Sequence, residues 1–184
     1  MVSRDLVGRF AAGAVAAGAE VVRAPDLAAA LAVAARLFAE AKVARALASR
    51  PVQAEAVASG LAVALPEDVE AIAAADAALV SADFGAAETG TLVRLDEGDE
   101  EKLAWTLPPL CVSLLERSRI VPDLQSLAGT MADHLARPGI PGPQVSLVTG
   151  PSRTADIENQ LTIGVQGPAR LVVVLVGGKG GWRP

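Results

Sequence analysis

The sequence predicts a three-layer α/β domain built on a mainly parallel sheet that has room for antiparallel strands. Three observations carry this prediction. Short apolar runs of strand length alternate with helix-period segments along most of the 184 residues. Leu61–Leu65, Leu110–Leu115 and Leu171–Val176 are apolar throughout, as in strands covered on both faces. The core must also be aliphatic: hydrophobic residues make up 52% of the chain, yet Tyr is absent and Phe and Trp number only three and two. Leu, Val, Ile and Ala therefore do the packing.

The elements follow in order. Residues 1–18 read as a helix weakened by glycines, and Glu20–Arg23 as a strand. Asp26 is placed to cap a helix that ends near Ala41 and shows Leu27, Leu31, Ala34, Leu37 and Phe38 on one face. Val43–Ala48 is a strand, Val52–Ser59 a short helix stopped by Gly60, and Leu61–Leu65 a further strand. Pro66-Glu67-Asp68 opens a helix with acids where its dipole favours them. Ala77–Ala82 is a strand, Asp83–Glu88 a loop, and Thr89–Leu95 a strand with Thr89, Thr91 and Val93 on one face, Leu92 and Arg94 on the other. The stretch from Ala77 to Leu95 can hold an antiparallel hairpin, which would make the sheet mixed. Asp96–Glu101 reads as a charged, solvated turn without the ligand spacing of a calcium loop. Leu110–Leu115 and Ile120–Val121 are strands. Pro122-Asp123 opens a helix to about Leu135 with Leu124, Leu127, Ala128 and Met131 inward. Gln144–Val148 is a strand, Ala155–Leu161 a short helix, and Leu171–Val176 a buried strand. The whole reads as one domain over 1–184: a helical lead (1–40), a core (41–176) and a flexible tail (177–184).

Composition excludes several functions. A net charge of −5 lacks the basic footprint of a nucleic-acid binder. One cysteine, Cys111, and one histidine, His134, cannot form an internal disulfide, hold an iron–sulfur cluster or build a zinc site, so no metal or cofactor is expected on this chain. His134 reads as a surface or capping residue at a helix end. The apolar stretch Phe10–Val22 is mostly Ala and Gly and runs into Arg23, unlike a signal peptide, and no run suits a membrane span. The expectation is a cytoplasmic protein with no membrane partner.

Chance resemblances are easily set aside. Asp83-Phe84-Gly85 stands without the other kinase signatures, and Gly85–Thr91 has the glycine spacing of a phosphate loop but no lysine. Two segments remain. Glu88-Thr89-Gly90-Thr91 places a carboxylate and two hydroxyls in a glycine-containing loop at a strand edge. Glu88 there is either a substrate-facing base or nucleophile, or a surface acid in a plain turn with Gly90 at a bulge. Turn chemistry alone accounts for these residues. The second segment is Gly150-Pro151-Ser152-Arg153-Thr154-Ala155-Asp156-Ile157-Glu158. With a helix beginning near Thr154, free backbone N–H groups, the Ser152 and Thr154 hydroxyls and the Arg153 guanidinium would cradle an anion. The alternative is a well-capped helix, with Asp156 on its dipole or paired to Arg153. The residues leave the two open.

Together the two segments resemble the lactate-utilisation (LUD) domain family, to which the C component of bacterial lactate utilisation belongs. The family's E-T-G-T is met by Glu88–Thr91, and its G-P-S-R-T-A-D-I-E by every residue from Gly150 to Glu158. Its G-V-H-G-P becomes Gly164-Val165-Gln166-Gly167-Pro168, where Gln166 replaces a histidine and cannot shuttle a proton near neutral pH. The resemblance spans roughly 40–176. It implies a fold similar to ribose-5-phosphate isomerase, glucosamine-6-phosphate deaminase and the CoA transferases. It also implies a role, accessory or substrate-organising, in oxidising L-lactate to pyruvate beside A and B partner subunits that hold the iron–sulfur clusters. Glu88 is then the candidate catalytic residue. Thr89, Gly90, Thr91, Gly150, Ser152, Arg153, Thr154, Asp156, Gln166 and Gly167 would bind a small anionic substrate. The competing expectation is a free-standing enzyme on a phosphorylated, carboxylate or CoA-linked molecule, using Glu88 and the Ser152–Thr154 loop. Homo-oligomerisation stays open.

Overall fold

A computed structural model describes residues 4–96, 98–138, 143–155, 161–163 and 167–177. Its elements in chain order are α1 (Arg4–Ala16), β1 (Glu20–Ala24), α2 (Leu27–Glu40), β2 (Ala46–Ala48), α3 (Arg50–Ala58), β3 (Val63–Ala64) and α4 (Val69–Ala73). Then come β4 (Ala77–Ser81), β5 (Phe84–Ala86), β6 (Thr91–Asp96), α5 (Asp99–Thr106), β7 (Leu110–Glu116) and β8 (Ile120–Val121). The chain continues through α6 (Ala128–Leu135), β9 (Gln144–Val148), β10 (Arg153–Ala155), β11 (Leu161–Ile163) and β12 (Arg170–Val176).

Six strands form one sheet in the order β1-β12-β7-β4-β2-β3, and every neighbouring pair is parallel. Strand alternation sends β7's Leu110, Val112 and Leu114 to one face and Cys111 and Leu115 to the other. The first face packs against α2 and α3 through Leu31, Leu37, Phe38 and Val52. The second packs against α1, α4 and α5 through Phe10, Ile72 and Trp105. Helices thus cover both faces, which is why these strands carry no polar alternation. Each large side chain so buried contributes about 1.5–3 kcal/mol.

The antiparallel part lies in a second sheet, β8-β5-β6-β9, in which β5–β6 and β6–β9 are antiparallel and β5–β8 parallel. Its Leu92 and Ile120 join the core on the α1 side. Asp26 and Asp68 cap α2 and α4, accepting from Ala29 N at 2.8 Å and Ala71 N at 2.6 Å. Among the described residues, no helix is long and apolar enough to cross a membrane.

Five expectations are corrected. The charged turn ends in a helix: Asp99, Glu100 and Glu101 form the first turn of α5, where acids suit the dipole. The Asp83–Glu88 loop contains strand β5. The helix expected over Ala155–Leu161 is absent at both ends, because Arg153–Ala155 pairs antiparallel with Leu161–Ile163. His134 is not at the surface: it is 3% exposed in the last turn of α6. Ala128, expected inward, is exposed, while Leu127 is buried.

Candidate functional site

The E-T-G-T segment is the connection between β5 and β6. Backbone bonds from Ala87 N to Val121 O (2.9 Å) and Glu88 N to Pro122 O (3.0 Å) tie it to the chain beyond β8. Gly90 turns back with its N–H donating to Ala86 O at 3.0 Å and φ at +70°. A Cβ there would lie 2.0 Å from Ala14 N, so glycine is needed both for the left-handed backbone and for the approach of α1. Gly150, with φ +80°, meets the residue just after α1 in the same way: a Cβ would lie 2.2 Å from Ala17 O. One helix therefore seats both turns.

The two segments meet through their hydroxyls. Thr91 Oγ1 lies 2.5 Å from Thr89 Oγ1 and 2.7 Å from Thr149 Oγ1, giving a three-hydroxyl row. The row exists because β9 runs antiparallel to β6, with Leu92 opposite Val148, so the residues flanking that pair face each other. Thr91 is buried, whereas Glu88, Thr89 and Thr149 are exposed. The third motif arrives beside the second: Ser152 N donates to Pro168 O at 3.0 Å, and a Cβ on Gly167 would lie 3.0 Å from Ser152 Cβ. Thus Thr89, Gly90, Thr91, Gly150, Ser152 and Gly167 are drawn into one region, with Glu88 at its exposed rim. Arg153 and Thr154 continue from it on β10, on a strand and not at a helix start. Asp156 and Gln166 lie outside the described residues. Chemically, the row offers aligned donors and acceptors for a ligand's oxygen atoms. Aliphatic hydroxyls do not titrate near neutral pH, so the row itself carries no charge.

A second polar cluster was not legible as a site. Arg94 of β6 is 7% exposed and its Nη1 donates to Asp83 Oδ2 at 2.9 Å, while Leu95 N donates to the same oxygen at 2.9 Å. Glu101 of α5, 6% exposed, accepts from Arg50 N at 3.0 Å and so satisfies a free N–H of α3. The sequence signal was an arginine within an otherwise apolar-rich strand, facing a turn dense in acids. Cys111 is inert by contrast: it is fully buried, and that burial pushes its thiol up to about 12. No group of three or more His, Cys, Asp or Glu among the described residues could hold a metal ion.

Comparison with known proteins shows the family and the fold. A family model described as the LUD domain matches residues 7–176. Lactate utilization protein C of Anoxybacillus flavithermus is 33% identical over 110 residues, covering 60% of this chain and 48% of that protein. Its namesakes from Bacillus mycoides (Lactate utilization protein C 1) and Bacillus subtilis are 34% and 29% identical over 111 residues, covering 60% of this chain and 47% and 46% of theirs. The chain spans just under half the length of these curated relatives. A crystal structure of a DUF162 family protein from Deinococcus radiodurans superposes with a TM-score of 0.72 at 20% identity, covering 96% of this chain and all of that one, and shows a shared fold. The chain belongs to the LUD domain family.

Proposed function

We propose that this chain serves lactate utilisation in the cytoplasm as an accessory or substrate-organising component, beside iron–sulfur subunits that carry the electrons from L-lactate on its way to pyruvate. The observation that supports this reading is the Thr89–Thr91–Thr149 row, which ties the E-T-G-T segment to the residue that leads into Gly150. The relatives' names supply the process. Iron–sulfur partners fit the chemistry: lactate oxidation releases two electrons, and the one buried cysteine of this chain cannot ligate an electron-accepting cluster.

Two measurements test it. In a strain lacking its own copy, this chain restores growth on L-lactate, and Thr91→Val lowers the yield without lowering soluble protein. Affinity purification under reducing, oxygen-free conditions recovers cluster-bearing proteins. Unrestored growth together with purification of the chain alone would sink the proposal.

The competing reading makes the chain a free-standing enzyme on a phosphorylated, carboxylate or CoA-linked small molecule. Its support is the exposed Glu88 beside the hydroxyl row. It loses the helix start that was to cradle an anion, since Arg153–Ala155 is a strand. Stabilisation by a phosphosugar or CoA ester that Glu88→Gln and Arg153→Ala both abolish would favour it over the accessory role.

A further inference from the structure

The strands β2 and β4 are neighbours in the large sheet, yet the chain leaves their C-terminal ends toward opposite faces. After Ala48 it enters α3, whose Val52 and Ala56 pack with α2. After Ser81 it passes through β5 and β6 to α5, whose Ala104 and Trp105 pack on the other face. A parallel sheet whose connections part in this way has a topological switch point, and the crevice opened at the carboxyl ends is where open α/β sheets bind ligands. In this molecule the crevice is a cleft of about 260 Å3. Arg50 and Pro51 at the start of α3, Arg94 of β6, and Gly98, Glu100 and Glu101 at the start of α5 line it.

The lining contains a second, independent sign of a ligand. Glu101 Oε1 is used by Arg50 N, but its buried Oε2 has no hydrogen-bond partner among the described residues. Outside the lining itself, the Ser49 and Ser81 hydroxyls at the ends of the two strands are fully buried and likewise without a hydrogen-bond partner among the described residues. Leaving such a group unsatisfied is costly, and a ligand's own polar group would remove that cost. Arg94 is held by Asp83, whereas the Arg50 side chain is 66% exposed and only 3.8 Å from Glu101 through Nε. Arg50 is therefore the cation able to fork onto a carboxylate. With Arg94 engaged by Asp83, Arg50 is the cation this lining offers a ligand, and one cation beside Glu100 and Glu101 suits a singly charged ligand over a phosphate dianion.

We propose that the switch-point cleft is a binding site for a small hydroxy monocarboxylate, whose carboxylate pairs with Arg50 and whose hydroxyl donates to Glu101 Oε2. The location and the ligand class rest on topology and lining alone. Only the choice of L-lactate among the probes rests on the lactate reading above.

The test titrates the full chain with L-lactate, glycolate and propionate while following backbone amide resonances. L-Lactate and glycolate are expected to shift the amides of Arg50 and Glu101, and to compete with one another. Propionate, which lacks the hydroxyl, is expected to bind about tenfold more weakly, the effect of one hydrogen bond to a charged group. Arg50→Ala removes an exposed side chain, so the fold survives and hydroxy-acid binding weakens about tenfold or more. Glu101→Gln keeps an acceptor for Arg50 N and erases the preference for the hydroxyl. Glycolate binding without L-lactate binding supports the cleft and counts against the lactate reading. Failure to purify iron–sulfur partners leaves the cleft untouched. No shift at millimolar probe overturns the proposal. Equal binding of propionate, or shifts confined to Thr89, Thr91 and Thr149, overturn it too.

Discussion

Thr91 is the residue on which the joining of the two motifs depends, since it alone touches both Thr89 and Thr149 through its hydroxyl. Thr91→Val keeps its volume and strand propensity and removes only the link. The expected cost is about 1 kcal/mol in urea unfolding, the net value of a partly buried hydrogen bond. A loss near zero would mean that the row does not hold the turns together. Gly90 behaves differently, because its replacement forces a side chain against the α1 backbone. Gly90→Ala should cost about 3 kcal/mol or more, whereas Gly129→Ala, inside α6 with nothing within 4 Å, should stabilise by about 0.5–1 kcal/mol. Thermal melts of the pair check the contrast. Cys111 supplies a kinetic probe: a thiol reagent should label it only as fast as the sheet opens, since its thiol is buried and protonated.

At the scale of elements, strands were legible where apolar runs were long. Leu110–Leu115 and Leu171–Val176 became β7 and β12 nearly as read, because burial on both faces leaves a plain hydrophobic signature. β5 was missed because three residues, one of them glycine, carry no period. α5 was missed because its acidic first turn looks like a solvated loop until Glu101 is seen reaching the start of α3. The segment after Gly150 was misread for a clearer reason. Thr154 followed by Asp156 and Glu158 has the local pattern of a capped helix, and pairing of Arg153–Ala155 with Leu161–Ile163 overrode it. Local pattern could name the candidate site's residues but could not show Thr149 against Thr91, because register between β6 and β9 is a tertiary fact. Asp76 gives an element-scale prediction. The backbone N–H groups of Arg45 and Ala44 hold its carboxyl below the usual carboxylate range, pinning the entry to β2 against β4. A depressed carboxyl stabilises the fold above its unfolded pKa, and that contribution disappears as pH falls through the folded value. Unfolding followed from neutral to acid pH should therefore show a stability loss at the acid end that Asp76→Asn reduces. An unchanged profile in the variant would contradict this.

At the scale of the whole molecule, the two sheets divide the labour. The parallel sheet supplies the aliphatic core and the switch-point cleft, while the smaller sheet brings the family motifs together on α1. Glu20 and Arg170 fasten β1 to β12 through a forked pair at 2.6 and 2.9 Å, and Arg170 holds Glu20 below its ordinary range. The place of β12 has a consequence in time. The last strand of the described chain lies between β1, at the sheet's edge, and β7. During synthesis, β7, β4, β2 and β3 can pair as soon as they emerge, but β1 must wait about 150 residues for its only sheet neighbour, roughly ten seconds or more at common ribosome speeds. Until then the apolar face of β7 and the backbone edges of both strands stand open, so the nascent chain is most prone to capture by chaperones, or by another ribosome's product, just before β12 appears.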